Sequence, residues 1–285
     1  MTFRTRFAPS PTGPLHLGHA FSAITAYDMA TAAGGIFHLR IDDIDQSRSR
    51  PAWEAQIFDD LHWLGLSWPM PVLRQSERLP RYCDALLRLW DMGLLYSCSC
   101  TRADIRAAAS APQEGAPLHG PDGLIYSGTC RPATPPKGVM PIDSALRLDM
   151  ARALASVSSP LAFSESGEGP NGETGSITPH NMVQTVGDVV LARRAMGASY
   201  HLSVVIDDAD QSITHVIRGQ DLFAATQIHV LLQRLLDLPT PLYHHHGLIR
   251  DAQGKRLAKR DDARAIKTYR AEGASPAKIR QMIGL

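Results

Sequence analysis

The residues that could do chemistry fall into four groups. Near the start, "PSPTGPLHLGHA" (residues 9–20) sets His16 and His19 either side of Leu17-Gly18, after a run rich in proline and glycine. Near the end, "KRLAKR" (255–260) concentrates positive charge behind Gly254. Between them, Cys98 and Cys100 form a C-x-C pair with Tyr126 and Cys130 downstream, and three adjacent histidines occupy 244–246. A histidine pair at a loop-to-helix turn can hold a metal, pack, or hold a substrate. The metal reading is poor, because a structural site needs more ligands and no acidic or cysteine side chain stands beside the pair. Phosphate is better suited: a helix N-terminus presents N–H groups to an anion, and Gly18 allows close approach to the backbone. Helix-start histidines with no ligand are the plainer alternative. The triple histidine cannot converge on one ion, since successive strand residues face opposite ways; it is read as strand and loop able to touch nucleotide. Cys83 lies in a helical pattern and reads as a packing residue.

These groups need a scaffold, and the remaining sequence describes one. "TFRTRFAP" alternates as a strand does, "GHAFSAITAYDMATAAGG" is an Ala-rich helix closed by Gly34 and Gly35, and "IFHLRIDD" is a second strand. A β-loop-α-β start favours a parallel sheet with helices on its faces. Two helical patterns follow, "AWEAQIFDDLHWLGL" and "ERLPRYCDALLRLWDMGLL". From about Tyr96 the texture changes. "SAPQEGAPLHGPDGL" and "SESGEGPNGETGSITP" are too rich in small and turn residues for regular packing, and "ALRLDM" is the one plausible strand between them. Regular patterning returns at "GDVVLARR", with "ITHVIRG" strand-like, "LFAATQIHVLLQRLLDL" an amphipathic helix, and a short closing helix from about Ser275. The expected division is 1–95 and 187–245 as two halves of one domain, 96–186 as an insert, and 246–285 as the lysine-rich loop and tail.

Composition agrees. With 285 residues, 44% hydrophobic and 20% charged, the chain can bury a large core. A formal net charge of +1, from 29 Lys+Arg against 28 Asp+Glu, gives no overall field for nucleic acid, so an RNA partner must be held by a local patch. The N-terminus lacks the apolar core of a signal peptide and no apolar run approaches the ~18 residues of a membrane span. A cytoplasmic location is expected, in which four cysteines are thiols or metal ligands rather than disulfides.

"HLGH" resembles the H-I-G-H signature of class I aminoacyl-tRNA synthetases, and "KRLAKR" resembles their K-M-S-K-S loop. "RFAPSPTGPLHLGHA", "LRIDDIDQSRSR", "YCDALLRLWDMGLLYSCSCTR" and "YHLSVVIDDADQSITHVIRGQDL" then follow, in order, the pattern of the glutamyl-tRNA synthetases. The resemblance covers most of the chain outside about 104–185. It implies a Rossmann-like α/β catalytic domain, a parallel sheet flanked by helices, with an inserted zinc-binding connective subdomain. The chain continues only about 25 residues past Lys259, whereas the synthetases that charge tRNA(Glu) carry a helical anticodon-binding region there. A catalytic half without it is similar to the glutamyl-queuosine tRNA(Asp) synthetases, which implies ATP-dependent activation of L-glutamate and transfer to the queuosine base at the wobble position of tRNA(Asp).

The resemblance also assigns roles. His16, Gly18 and His19 would bind ATP, supplied with Mg2+, together with Arg256 and Lys259; His16, His19 and Lys259 would be catalytic. The lysine loop departs from the signature, with Arg256 for its first lysine, Ala258 for a serine and Arg260 for the last serine. Cationic charge is kept and the hydroxyls are lost, and an exposed charged turn is the alternative reading. Glutamate would be held by Arg6, Phe7, Ala8, Pro9, Ser10, Asp42, Tyr200 and Arg218. The guanidinium of Arg6 suits a carboxylate, and Asp42 suits the α-ammonium although the family usually has glutamate there. The alternative is a ligand-free buried ion network of Arg6, Asp42 and Arg218. Asp45 and Arg48 also match the family, or cap a helix. Cys98, Cys100, Cys130 and Tyr126 match a structural zinc site, with His119 or water able to replace the tyrosine, and three unligated thiols as the alternative. Two other functions use the same residues: a glutamyl-tRNA synthetase without its anticodon-reading part, charging a tRNA 3′ end, and a non-catalytic synthetase-like binding protein. A monomer suffices for either enzyme.

Overall fold

The structure is a computed structural model and describes residues 2–109, 118–194, 197–249 and 264–285. It begins with strand β1 (Arg4–Phe7), helix α1 (Leu17–Ala32), strand β2 (Ile36–Ile41), helix α2 (Pro51–Trp63) and the short strand β3 (Leu73–Arg74). The buried side of α1 is small: Ala20, Ala23, Ile24, Ala26 and Ala30 are shielded, which lets the helix lie close on β1 and β2. Its exit is sharp because Gly34 adopts φ +60° and Gly35 passes so near Phe3 that a Cβ would sit 2.2 Å from the Phe3 carbonyl oxygen. β1, β2 and β3 pair in parallel.

Helix α3 (Leu79–Asp91) leads to β4 (Leu95–Cys98), α4 (Arg102–Ala109), the two-residue strands β5 (His119–Gly120) and β6 (Gly123–Leu124), β7 (Ala145–Leu148), α5 (Met150–Ala155), β8 (Phe163–Glu165), β9 (Gly175–Ile177), α6 (Met182–Thr185) and β10 (Val190–Ala192). β10, β7 and β4 form an antiparallel sheet of their own. The chain then returns through α7 (Tyr200–Asp210), β11 (His215–Gly219), α8 (Thr226–Leu235), β12 (Leu242–His246), α9 (Ile266–Ala271) and α10 (Pro276–Ile283). β11, β12 and β8 pair in parallel and β9 runs antiparallel on β8.

The sheet is therefore mixed, where a parallel sheet was expected. The cause is local: β8 and β9 are neighbours joined by a short connection, which only an antiparallel pair permits. The glycine-rich stretch that reads as irregular thus contains two strands, and β8, inside the 96–186 stretch, joins β12. The Thr214 N–H donates to the Arg4 carbonyl (2.9 Å) and the Arg4 N–H to Thr214 Oγ1 (2.8 Å), setting β11 beside β1. β2 and β3 extend from one side of β1 and β11 and β12 from the other. Strand order reverses at β1/β11, the place where open α/β sheets bind ligands.

One apolar core gathers α1, α2, β1 and β2 with Ile217, Ile266, Ile279 and Ile283, and a second gathers α3, β4, β7, α5, α7 and α8 with Tyr243. Cys83 packs against the second, as expected of a helical apolar position. Among the described residues no helix is long and apolar enough to cross a membrane.

Candidate active site

A cavity of about 350 Å³ opens where β1 and β11 end against the start of α1. Arg6, Phe7 and Ala8 come from the end of β1, Arg218 and Gly219 from the end of β11, His16, Gly18 and His19 from the turn into α1, Asp42 from the end of β2, and Tyr200 from the start of α7. A second cavity of about 520 Å³ shares Phe7, Ala8, His19, Asp42 and Tyr200 and adds Pro9, Ser10, Asp45 and Arg48. Every residue placed at the glutamate pocket from sequence lines one of the two.

The histidines have a role that spacing alone does not reveal. His16 is the N-cap of α1; its Nδ1 accepts the Gly18 N–H (3.1 Å), and His19 Nδ1 accepts the His16 N–H (3.2 Å), a capping box built from imidazoles. A ring nitrogen that accepts carries no proton, so each neutral ring holds its proton on Nε2 and is a donor there. The Gly18 N–H is consumed by the cap. The imidazoles of His16 and His19, expected from the sequence to donate to ATP, therefore carry their protons on Nε2 at this helix start.

Lys259 and Arg256 lie outside the described residues. The chain on either side adjoins the cavity: Ile249 lines it, and Ala265 bridges to His16 while the Ile266 N–H donates to the Leu15 carbonyl (2.8 Å).

Arg6 is not bare. Its Nε and Nη2 bond the two oxygens of Asp208 at 2.9 and 3.2 Å, and Arg40, fully buried, bonds Asp208 (2.6 Å) and Asp42 (2.8 Å). Arg6, Arg40, Asp42 and Asp208 form one buried network that sequence reasoning found only in part. Asp208 and Arg40 escaped it; an acidic run such as "IDDAD" in a helix reads as a solvated face. Burial pushes the Asp42 carboxyl up to about 6, with Arg40 pulling it back. Asp208 is held below the usual carboxylate range: burial opposes this, and the two arginines outweigh it.

Arg218 stands outside that network. Its Nε donates to His245 Nε2 (3.0 Å), Nη1 to His229 Nδ1 (3.1 Å), and Nη2 to Thr226 Oγ1 (2.7 Å) and the Leu222 carbonyl (3.3 Å). Tyr200 sets its ring edge-on to His229 (centroids 5.6 Å apart). His246 turns to the cavity, bonding Ser22 Oγ (2.8 Å) with Phe21 edge-on to it. His244 faces Ser166 instead, the alternation that excludes a three-histidine metal site.

Asp45 does not cap α2, whose N-cap is Arg50 with no side-chain bond. Its carboxylate closes the preceding turn through Ser47 (2.6 Å) and Arg48 (2.5 Å).

Away from the cavity, the Sγ atoms of Cys98, Cys100 and Cys130 lie within 4.8 Å of one another. The Tyr126 hydroxyl is 3.5 Å from Cys98 Sγ and 3.3 Å from Cys100 Sγ. Tetrahedral zinc with Zn–S ≈ 2.3 Å and Zn–O ≈ 2.1 Å sets S···S near ~3.8 Å and O···S near ~3.6 Å, so this donor set fits. Hydrogen bonding from Tyr126 pulls the Cys130 thiol down to about 6, toward the thiolate a soft cation needs. His119, the alternative fourth ligand, sits on β5 and is not part of the cluster.

The chain matches the catalytic domain of class I tRNA synthetases (E and Q) over residues 2–121 and 175–285. It is similar to the glutamyl-Q tRNA(Asp) synthetase of Rhodobacter capsulatus, 65% identical over 282 residues that cover 99% of both chains. It is also similar to the protein of that name from Symbiobacterium thermophilum, 41% identical over 96% of this chain and 83% of that one. Among solved structures, a glutamate tRNA ligase from Elizabethkingia meningosepticum in complex with its amino acid superposes with a TM-score of 0.76 at 27% identity over 99% of this chain. This chain spans 60% of that ligase. Methionyl-tRNA synthetase of Mycobacterium tuberculosis, bound by methionyl-adenylate, shares the fold with a TM-score of 0.56 at 10% identity, covering 99% of this chain and 64% of that one.

Proposed function

The chain belongs to the class I tRNA synthetase family of the E and Q type, within it to the glutamyl-Q tRNA(Asp) synthetases, and is a ligase of that type; from that premise we propose that it activates L-glutamate with ATP and transfers it to queuosine at the wobble position of tRNA(Asp). The observation that carries the first half is the meeting, in one cavity, of two imidazole N–H donors at the start of α1 with Asp42 and an Arg218 that, among the described residues, bonds only imidazoles, a hydroxyl and a backbone carbonyl. The acceptor rests on the names of relatives matched over nearly the whole chain.

The reaction divides into two displacements. An oxygen of the glutamate α-carboxylate attacks the α-phosphorus of ATP, the bond to the bridging oxygen breaks, and pyrophosphate leaves; Mg2+, when bound with ATP, would offset charge on the phosphates. A hydroxyl of the acceptor then attacks the acyl carbon, forming an ester while AMP leaves. His16 and His19 donate from Nε2 to phosphate oxygens as charge builds, and Lys259 adds a point charge on the transferring group. Asp42 pairs the α-ammonium, and Arg218, with Arg6 and Tyr200 beside it, receives the side-chain carboxylate. Cys98, Cys100, Cys130 and Tyr126 would hold one zinc ion that ties β4 to the loop after β6. The reaction is placed in the cytoplasm, with the chain acting as a monomer.

The test uses ATP, radiolabelled glutamate and purified tRNAs with and without queuosine, followed by mild alkali and nuclease mapping. Label at the anticodon of queuosine-containing tRNA(Asp), and ATP–pyrophosphate exchange with glutamate before any tRNA is added, are expected. Label at the 3′ end of tRNA(Glu) would sink the acceptor assignment, and no label on any tRNA would point to a non-catalytic binding protein.

A further inference from the structure

The cavity holds three arginines, and they are neutralised differently. Arg6 and Arg40 each bond a carboxylate directly. Arg218 does not: among the described residues its partners are two imidazoles, a hydroxyl and a backbone carbonyl. Two carboxylates, Glu165 and Asp122, stand behind these histidines.

On one side, His245 Nε2 accepts from Arg218, so its proton is on Nδ1, which faces Glu165 Oε2 at 2.5 Å. Glu165 is pinned in turn, its Oε1 accepting the N–H groups of His245 and Gly167, both at 2.8 Å. Gly167 is required there, since a Cβ would lie 2.2 Å from the His245 carbonyl oxygen. On the other side, His229 Nδ1 accepts from Arg218, so Nε2 is the donor and meets His201 Nδ1 at 3.1 Å. His201 Nε2 then carries the proton and faces Asp122 Oδ1 at 3.4 Å, on the turn between β5 and β6. His201, His229 and His245 are all buried, and each ring's tautomer follows from its neighbours.

A carboxylate directly on Arg218 would compete with an incoming one, whereas a neutral imidazole fixes the guanidinium and leaves its charge for the ligand. We propose that His229, His201 and Asp122 on one side, and His245 and Glu165 on the other, are positioning residues that aim a charged Arg218 at the side-chain carboxylate of the amino acid. This deepens the glutamate reading and rests on it. It also ties the β5–β6 turn in the insert to the amino-acid pocket.

The test separates affinity from turnover. Glutamate-dependent ATP–pyrophosphate exchange is measured on the full chain for wild type, His229→Leu, His229→Asn and Asp122→Asn. His229→Leu leaves one guanidinium N–H without its acceptor and should raise the KM for glutamate roughly tenfold, with kcat and the KM for ATP changing far less. His229→Asn restores an acceptor near the Nδ1 position and should recover most of that loss. Asp122→Asn, at a partly exposed turn, should raise the glutamate KM about two- to fivefold, since a charge-assisted contact becomes a neutral one. Unchanged glutamate KM in both His229→Leu and Asp122→Asn, or equal losses for His229→Leu and His229→Asn, would overturn the positioning role. Wild-type protein with no glutamate-dependent exchange would overturn the functional reading instead.

Discussion

Asp42→Asn tests whether the pocket stores a cost that its ligand relieves. Asp42 is 8% exposed, bonded to Arg40 Nε at 2.8 Å, and its carboxyl is pushed from the usual 3.8 up to about 6 by burial, with Arg40 opposing and Asp207 adding repulsion. That rise corresponds to about 3 kcal/mol. The sign follows from proton binding. Between pH 3.8 and about 6 the folded chain holds a proton on Asp42 that the unfolded chain has released, so stability falls as pH rises through this window. Above about pH 6 the cost is fully in place. Asparagine approximates the protonated carboxyl, so Asp42→Asn should be more stable than wild type at pH 8 by up to about 3 kcal/mol, or roughly 5–10 °C in melting temperature, with little gain at pH 4. Glutamate-dependent exchange should collapse in the same variant, because the α-ammonium loses its partner. In wild type the glutamate KM should climb as pH falls through about 6. Thermal unfolding at pH 8 and pH 4, with exchange kinetics beside it, decides the matter. A variant no more stable than wild type at pH 8, or one whose advantage is as large at pH 4, would refute the reasoning.

Two further outcomes are expected. Lys259→Ala should slow ATP–pyrophosphate exchange by roughly 100-fold or more while glutamate binding, followed by calorimetry, changes less than about threefold; an unaltered exchange rate would remove Lys259 from the reaction. Protein purified without chelator should carry about one zinc ion per chain by elemental analysis, and the Cys98→Ser, Cys100→Ser double variant should carry none; equal metal in the two would end the zinc assignment.

The β-loop-α-β start was legible because its strand alternation, Ala-rich helix and Gly34-Gly35 stop are all local signals. His16, His19, Asp42 and Arg218 were legible because each sits in a run whose order along the chain matches a known family pattern. The antiparallel β9 was not, since the glycines and acidic residues around it carry no alternation. Arg218's supports were also hidden. His229 lies in "QIHVLLQ", where a histidine among apolar residues reads as core, and only the tertiary fold places it 3.1 Å from a guanidinium that β11 contributes. Glu165 lies in a stretch dominated by turn residues and gains its meaning from β12 alongside. Asp208 shows the general limit: whether an acidic residue on a helix faces water or buried arginines depends on strands far away in sequence, here β1 and β2.

On the proposed reading, the charges around Arg218 favour an acidic amino acid as ligand. Arg6 and Arg40 pair directly with Asp42 and Asp208, whereas among the described residues Arg218 bonds no carboxylate directly, with Glu165 and Asp122 set behind its histidines and Asp221 on the cavity wall. Free glutamate has a single net negative charge, with a cation at one end for Asp42 and an extra anion at the other for Arg218. Glutamine offers the same cation and length but a neutral amide, so its binding would bury the Arg218 charge without a counter-charge, at a cost of several kcal/mol. On the proposed reading, selection rests on keeping Arg218 free of a direct carboxylate bond while holding it still, which the interposed histidines make compatible.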